Sequence, residues 1–303
     1  MYTGSSLPLS LRIGVIRGGP SPEYDVSLQT GGNVLKILAD THKPIDIFIS
    51  KDGTWHTQGI ERSPERILKH VDVVWNALHG TYGEDGEIQH LLDNNGVRYT
   101  GSDRYSSAIA MNKWLTKERV KSVGIKTPLA FLVRRGDSIR EKASLIFNSI
   151  PHPMIVKPAC SGSSFGLYKV NSFPELISVL ETILNDHDSA VVEEFITGKE
   201  ASCLVTDNFR GQHPYSFPIN QVLSKEESLS IQDISTKIHK ELGLSHYSES
   251  DFIVSPRRGV YFLEVNTLPK FHEKSAILKS LESVGVSVKD FLHHVIWLAL
   301  DKK

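Results

Sequence analysis

Apolar and polar positions along this chain fall into short blocks whose period switches between that of a strand and that of a helix. Leu11 to Ile16 form an apolar run that stops at Arg17-Gly18-Gly19-Pro20-Ser21-Pro22. From Asp25 or Ser27 to Leu38 the period is helical, with Val34, Leu35 and Leu38 on one stripe. Ile45 to Ile49 and Val71 to Leu78 read as a second and a third strand. Strand, glycine turn, helix, strand is the grammar of an open parallel sheet, which gathers ligands at the carboxyl ends of its strands. Glu87 to Leu92 continue as a helix and Val97 to Thr100 as a short strand, closing a first domain over residues 1–102.

A middle domain is expected over residues 103–189. Its first helix contains Ala108-Ile109-Ala110-Met111-Asn112-Lys113-Trp114 and carries Lys113 and Lys117. Ala130 to Val133 is a strand, and Met154-Ile155-Val156 is another that sets Lys157 at its end. Small side chains dominate from Ala159 to Gly166, apolar and polar positions then alternate to Val170, and a helix spans Phe173 to Leu184. The last domain is expected over residues 190–303. It opens with Ala190 to Ile196, an apolar strand turning acidic at its end, and resumes after a turn with Ala201 to Val205. Asp251 to Val254 and Val260 to Asn266 flank Ser255-Pro256-Arg257-Arg258-Gly259, which predicts a hairpin.

Composition narrows the function classes. The 303 residues suffice for two or three domains. A net charge of −1 gives no electrostatic reason to expect nucleic acid or an anionic membrane as partner. Cys160 and Cys203 lack CxxC spacing, so neither a disulfide framework nor a zinc site is indicated. The first residues carry no basic n-region and no apolar run reaches membrane-spanning length, so a cytoplasmic protein is expected.

Several polar groups interrupt the apolar pattern at strand ends, where chemistry collects. A glycine–serine loop brings backbone N–H groups close to an anion, and Lys157 beside it supplies a point charge suited to phosphate. Glu23 and Ser27 stand at a helix entrance, either capping it or facing a ligand. His79 lies among Gly80, Gly83 and Gly86 after the third strand, as a structural or a functional histidine. Glu193 and Glu194 end a buried strand; such a pair suits an adenine amine and a ribose hydroxyl, or is simply solvated. Glu264 and Asn266 are two apart and share a face, with Asp251 opposite on the hairpin. These are hard oxygen ligands, suited to Mg²⁺ beside triphosphate oxygens.

The motifs GGPSPEYDVSLQTG, ALHGTYGEDGEIQHLL, YTGSDRYSSAIAMNKWLTK, MIVKPACSGSSFG, VVEEFITGKE and YFLEVNTLP occur in this order. In that series the chain resembles the D-alanine–D-alanine ligases of the ATP-grasp superfamily, from about Arg12 to Leu300. The resemblance implies an α/β protein of three domains, with an N-terminal open parallel sheet and an α+β ATP-binding part that grips ATP between the middle and last domains. It matches Lys113, Lys157 and Ser163 to the ATP site, the two lysines on phosphates. Glu193, Glu194, Ile196 (through its backbone) and Glu200 match the adenine and ribose contacts. Asp251, Glu264 and Asn266 match the ligands of two magnesium ions, which manganese can replace. Glu23 matches the acid that holds the first D-alanine's ammonium group, with Ser163 hydrogen-bonded to it; His79 matches a neighbour of the carboxylate, and Ser275 a serine on the second substrate's carboxylate. The implied chemistry is ATP-dependent phosphorylation of a carboxylate and attack by an amine on the acyl phosphate, in peptidoglycan biosynthesis. The implied partners are ATP and D-alanine or a similar amino acid, with a homodimer as the assembly.

Three positions depart from the family pattern. Glu249 stands where the family has an arginine serving the tetrahedral intermediate and a substrate carboxylate. Lys270 replaces the glycine after NTxP. The interval from Glu200 to Glu249 is short, and the family's lid, bearing tyrosine and lysine, has no clear counterpart in it. The competing readings are therefore a nucleotide-binding paralogue without ligase activity and a ligase using a different second amine. Lys270, turned inward, or Lys225 would restore positive charge to the altered subsite.

Overall fold

The computed structural model describes residues 7–8, 10–162, 166–271 and 276–301. The first layer follows the sequence pattern closely: β1 (Arg12–Gly18), α1 (Tyr24–Leu38), β2 (Lys43–Ile49), the small hairpin β3 (Trp55–Thr57) and β4 (Ile60–Glu61), α2 (Pro64–Leu68), β5 (Val73–Asn76) and α3 (Glu87–Asn94). These strands form one sheet in the order β4-β3-β2-β1-β5, with β1 parallel to both β2 and β5. Ile13, Val15 and Ile16 on β1 are fully buried, as a strand covered on both faces requires. Ser27 of α1 locks the sheet's carboxyl edge: its Oγ accepts from the Gly18 N–H and donates to the Ala77 carbonyl, both at 2.8 Å. The segment expected as a strand at Val97 to Thr100 makes only an isolated bridge, Val74 to Tyr99. Too few of its backbone groups pair to extend the sheet.

One helix expected around Lys113 is in fact two, α4 (Arg104–Met111) and α5 (Lys113–Ser122). Asn112 breaks them with an extended ψ of 100°, and its side chain caps α5 by accepting from the Leu115 N–H. At the break the Lys113 N–H donates to the Ala159 carbonyl at 2.9 Å, and Asn112 bridges to Cys160. The start of α5 is thereby stitched to the glycine–serine loop. Then follow β6 (Ala130–Arg134), α6 (Ile139–Ser149), β7 (Met154–Pro158), β8 (Tyr168–Val170), α7 (Phe173–Asp186) and β9 (Ser189–Glu194). They give an antiparallel sheet of order β6-β9-β7-β8, packed on α6 and α7 through Val133, Ile146, Met154, Val156 and Leu180.

The expected division between residues 189 and 190 falls inside a strand, because β9 pairs with β6 and β7 rather than with the strands of the last layer. The helices at the other border shift the opposite way: Ala110 and Val120 of α4 and α5 join a core with Ile231, Phe252 and Phe262 of the last layer. We therefore draw the middle unit from β6 to β9. The last layer holds β10 (Lys199–Thr206), β11 (Tyr215–Ser216), α8 (Lys225–Glu241), β12 (Tyr247–Ser255), β13 (Gly259–Asn266), α9 (Ala276–Ser283) and α10 (Val288–Asp301). Its sheet runs β11-β10-β12-β13. The short interval between β10 and β12 is filled mainly by α8, which opens with a reciprocal cap between Ser224 and Glu227. A core of Val15 and Trp75 with Phe271 and Phe291 fixes this layer to the first. Among the described residues no helix is long and apolar enough to cross a membrane.

Candidate active site

The facing ends of the middle and last sheets bring the expected lysines and acids together. On β7 Lys157 pairs with Val191 while Ile155 pairs with Glu193, so Lys157 and Glu193 share one face. Their Nζ and Oε2 are 3.2 Å apart. Lys113, at the start of α5, donates to the Ser161 carbonyl at 2.6 Å and lies 3.4 Å from Glu264 Oε2 on β13. Both lysines are buried, so their charges act where water does not screen them.

Lys117 holds this arrangement from behind. It is fully buried, with Nζ 3.2 Å from Glu193 Oε1 and 3.1 Å from the Leu263 carbonyl it donates to. Burial pulls its pKa down to about 8 despite the neighbouring Glu193. Burial works against ionisation of Glu193 too, yet Lys117 and Lys157 hold its carboxyl below the usual range. No role was assigned to Lys117 from the sequence; the available signal was its spacing of four from Lys113, which puts both on one side of a helix.

Across the hairpin Asp251 pairs with Glu264 and Glu249 with Asn266, as the sequence predicted for Asp251, with a bulge after Asp251. Asn266 Nδ2 donates to Asp251 Oδ2 at 3.3 Å. Burial and the charge of Glu264 push Asp251 upward, and burial and Asp251 push Glu249 upward. Glu264 is held low: burial opposes ionisation, but Lys113 and Lys157 outweigh it. An oxygen-rich patch that raises its own proton affinity is one that a divalent cation would relieve, and Asp, Glu and Asn oxygens are the donors Mg²⁺ takes. Among the described residues no group of three or more His, Cys, Asp or Glu side chains is gathered as a metal centre. The fit to magnesium thus rests on two carboxylates and an amide, with phosphate oxygens completing the shell.

Next to this junction a cleft of about 400 Å³ opens between the first and middle layers, lined by Ser21, Glu23, Thr81, Ser161, Gly162 and Tyr168 among others. Glu23 is buried just before α1. Gly80 has a φ of +71°, and a Cβ there would lie 2.5 Å from Ser21 Oγ and 2.9 Å from Glu23 Oε2. A Cβ on Gly162 would run into Glu23 Oε2 itself. Both glycines are needed for the loops to close on this carboxylate. Lys270 turns inward, as one expectation had it, but lands on Glu23: its Nζ is 2.7 Å from Oε1. Glu84, also buried, accepts from the Gly80 N–H at 2.8 Å and the Leu268 N–H at 3.3 Å. Burial above all, with the charge of Glu23 adding, pushes its carboxyl up to about 7.

The remaining expected residues are more scattered. His79 is buried, its Nε2 3.0 Å from Thr30 Oγ1 of α1. Glu194 is gripped by the Arg258 guanidinium at 2.7 and 3.0 Å and accepts from the Leu129 N–H. Ile196 is buried, while Glu200 is exposed at the start of β10. Ser163 and Ser275 lie outside the described residues. Lys225 begins α8.

Two sheets that close on a lysine–carboxylate junction, beside an open parallel sheet, define an ATP-grasp ligase. Comparison with known proteins agrees. A family model for the D-ala D-ala ligase N-terminus matches residues 12–68 and 56–102, and one for the D-ala D-ala ligase C-terminus matches 120–216 and 209–297. The D-alanine–D-alanine ligase of Aquifex aeolicus is 33% identical over 94% of this chain and 100% of its own length. Among solved structures, the D-alanine–D-alanine ligase of Coxiella burnetii superposes with a TM-score of 0.87 at 26% identity, over 96% of this chain and 94% of that one. The VanG D-Ala:D-Ser ligase of Enterococcus faecalis gives 0.85 at 27% identity, over 96% and 99%. The chain belongs to the D-alanine–D-alanine ligase family and is an ATP-dependent ligase.

Proposed function

We propose that this ligase phosphorylates a short donor acid held beside Glu23 and transfers its acyl group to an amine other than D-alanine. What carries the reading is the convergence of Lys113 and Lys157 with Glu264 and Glu193 one residue away from the Gly162–Glu23 contact. In this reading Lys113 and Lys157 hold the phosphates, and Glu193, Glu194, Ile196 and Glu200 face adenine and ribose. Asp251, Glu264 and Asn266 would hold magnesium, which when bound neutralises phosphate charge as it develops. A donor carboxylate oxygen attacks the γ-phosphorus as the bond to ADP breaks. The amine then attacks the acyl carbon, phosphate leaves, and the nitrogen gives up its extra protons. The protein's part is positioning and charge compensation. His79, pinned by Thr30, orients the loop around the donor carboxylate.

The acceptor subsite differs from that of the family. Glu249 puts an acid where the resemblance expects an arginine, and Lys270 pairs with Glu23 while its charge also acts on Glu249. An acceptor bearing a free carboxylate finds no arginine there to receive it, and meets repulsion wherever Glu249 is ionised. One lacking that group, or carrying an extra cation, does not. That a relative is described as a D-Ala:D-Ser ligase supports a second substrate that varies within the family. A cytoplasmic location and a homodimer belong to the same reading and rest on the family resemblance.

Phosphate release with mass-spectrometric product identification, across D-alanine, amidated and cationic amines, tests this reading. Efficient D-alanyl-D-alanine synthesis by the unmodified chain would overturn it. Glu249→Arg is expected to shift preference toward D-alanine. Lys157→Ala is expected to weaken ATP by about tenfold or more, since a charged hydrogen bond is worth roughly 1.5–3 kcal/mol.

A further inference from the structure

A second, much smaller cavity lies where the two sides of the proposed site meet. It holds about 20 Å³, room for a single water or one ligand oxygen. Lys113, Glu264 and Thr267 contribute to its lining, and so do Glu84, Ser161 and Gly162 from the loops that close on Glu23. Two of these residues carry hydroxyls that are left over. Thr267 is 2% exposed, and its Oγ1 is enclosed with no hydrogen-bond partner among the described residues. Ser161 Oγ is enclosed and unpartnered in the same sense. A buried threonine ordinarily turns its hydroxyl onto a nearby backbone carbonyl, and a hydroxyl buried alone costs stability. Such a group persists where a ligand supplies the partner. Thr267 is also held in place: it follows Asn266 at the end of β13 and precedes Leu268, whose N–H donates to Glu84 Oε1 at 3.3 Å.

We infer that Thr267 is a further catalytic residue, whose hydroxyl donates to an oxygen of the phosphoryl group as it passes to the donor acid. The inference rests on the reading above, which puts phosphates at Lys113 and the donor at Glu23. The donor carboxylate has to meet the γ-phosphorus between those two groups, and the cavity lies there. Its size admits one oxygen of the transferring group and no more. In the step itself a carboxylate oxygen bonds to phosphorus, the bond from phosphorus to the ADP oxygen breaks, and the threonine keeps its proton. Charge on the phosphoryl oxygens then finds a donor already in place, at no cost of reorganisation. Ser161 offers a second hydroxyl from the glycine–serine loop.

Hydroxylamine isolates this step from the choice of acceptor, because its nitrogen displaces phosphate from any acyl phosphate formed and leaves a hydroxamate. The full chain is assayed with ATP, magnesium, hydroxylamine and, in turn, D-alanine, D-lactate and glycine. Thr267→Val replaces the hydroxyl by a methyl of similar size. It is expected to lower kcat by about tenfold or more, the worth of one hydrogen bond to a charged group. The KM values for ATP and for the acid are expected to change by less than about threefold, as for an interaction made only in the transition state. Thr267→Ser keeps the hydroxyl and is expected to keep most of the rate. The urea midpoint of Thr267→Val is expected not to fall, since no hydrogen bond of the folded chain is lost. A lowered midpoint would make the hydroxyl a structural one and overturn the inference. So would a Thr267→Val kcat equal to that of the unmodified chain, and in that case the ligase reading stands. If the unmodified chain yields no hydroxamate from any of the acids, the ligase reading fails and the inference falls with it.

Discussion

The two halves of the site carry opposite charge surpluses. On the side proposed for the nucleotide Lys113, Lys117 and Lys157 face Glu193 and Glu264, and the two acids are held below the usual carboxylate range. On the side proposed for the acyl groups Glu23, Glu84 and Glu249 feel Lys270, and burial pushes Glu84, Glu249 and the neighbouring Asp251 upward. The difference teaches where negative ligands are welcome. A triphosphate entering the first half meets cations set in place by buried partners. An anionic acceptor group entering beside Glu249 meets a proton or repulsion, which favours acceptors that are cationic or uncharged there. The two halves touch where Lys113 meets Glu264 and Asp251 meets Asn266, and that seam is where magnesium would stand.

Breaking the seam gives the largest effect. Glu264→Gln keeps the shape but removes the charge that both Lys113 and a metal answer to. ADP formation is expected to fall by about 10²–10³ or more, the range for losing one preorganised charged partner of a transition state. ATP affinity should lose most of its magnesium dependence while circular dichroism stays unchanged. Normal turnover at limiting magnesium would return Glu264 to a structural part.

The next comparison is between two lysines, one on each side. Lys117 is fully buried between Glu193 and the Leu263 carbonyl; the Lys270 side chain is 34% exposed. Removing one partner of a buried pair strands the other, so Lys117→Met is expected to cost about 3–5 kcal/mol of stability, at the lower end because Lys157 remains with Glu193. Lys270→Met, in a pair open to water on the lysine side, should stay within about 1 kcal/mol. Urea unfolding of the two variants checks the contrast. Equal losses would mean that the acyl side is as dry as the nucleotide side.

These two lysines also show what was legible in the sequence. Turn symmetry alone placed Asp251 near Glu264 and Asn266, and the strand end at Lys157 was readable from Met154-Ile155-Val156, because periodicity and turn chemistry are local. The break at Asn112 was not read, although asparagine before a helix is a capping signal, because the apolar stripe continues through it. Assignment of β9 to the middle sheet depends on pairing with β6, more than fifty residues earlier, and no local pattern records such a choice. The inward turn of Lys270 onto Glu23 joins residues from opposite ends of the chain. Sequence offered an inward turn of Lys270 as one way to restore positive charge, but not Glu23 as the group it would reach. The lysines proposed to hold phosphates were singled out by residue type; residues that reshape a subsite are known only by what they reach.

Acidity sharpens the contrast further. The Glu84 carboxyl is raised to about 7 from the usual 4.5, so the folded chain binds a proton that the unfolded chain has released. The stability this contributes is fully present below the unfolded value and is lost as pH rises through about 7. Thermal unfolding between pH 5 and 8 is therefore expected to show a decline of about 1–3 kcal/mol that Glu84→Gln flattens. A decline of the same size in that variant would place the titration elsewhere on the acyl side.

The smallest effect belongs to Arg258, which tests whether the order of the nucleotide side depends on its surface as well as its interior. Its guanidinium grips both Glu194 oxygens, yet the side chain is 49% exposed. The hydrogen bond to Arg258 lowers the Glu194 pKa even though burial works the other way. Water screens such a pair, so Arg258→Ala should cost no more than about 1 kcal/mol of stability. Glu194 does not come loose when the arginine is gone, because its Oε1 still accepts from the Leu129 N–H at 3.0 Å and its strand remains paired with β6 and β7. ATP affinity by calorimetry is accordingly expected to change by less than about threefold, under 0.7 kcal/mol. A tenfold loss would mean that Arg258 touches the nucleotide, and the cation surplus of that half would then extend from its buried lysines to its rim.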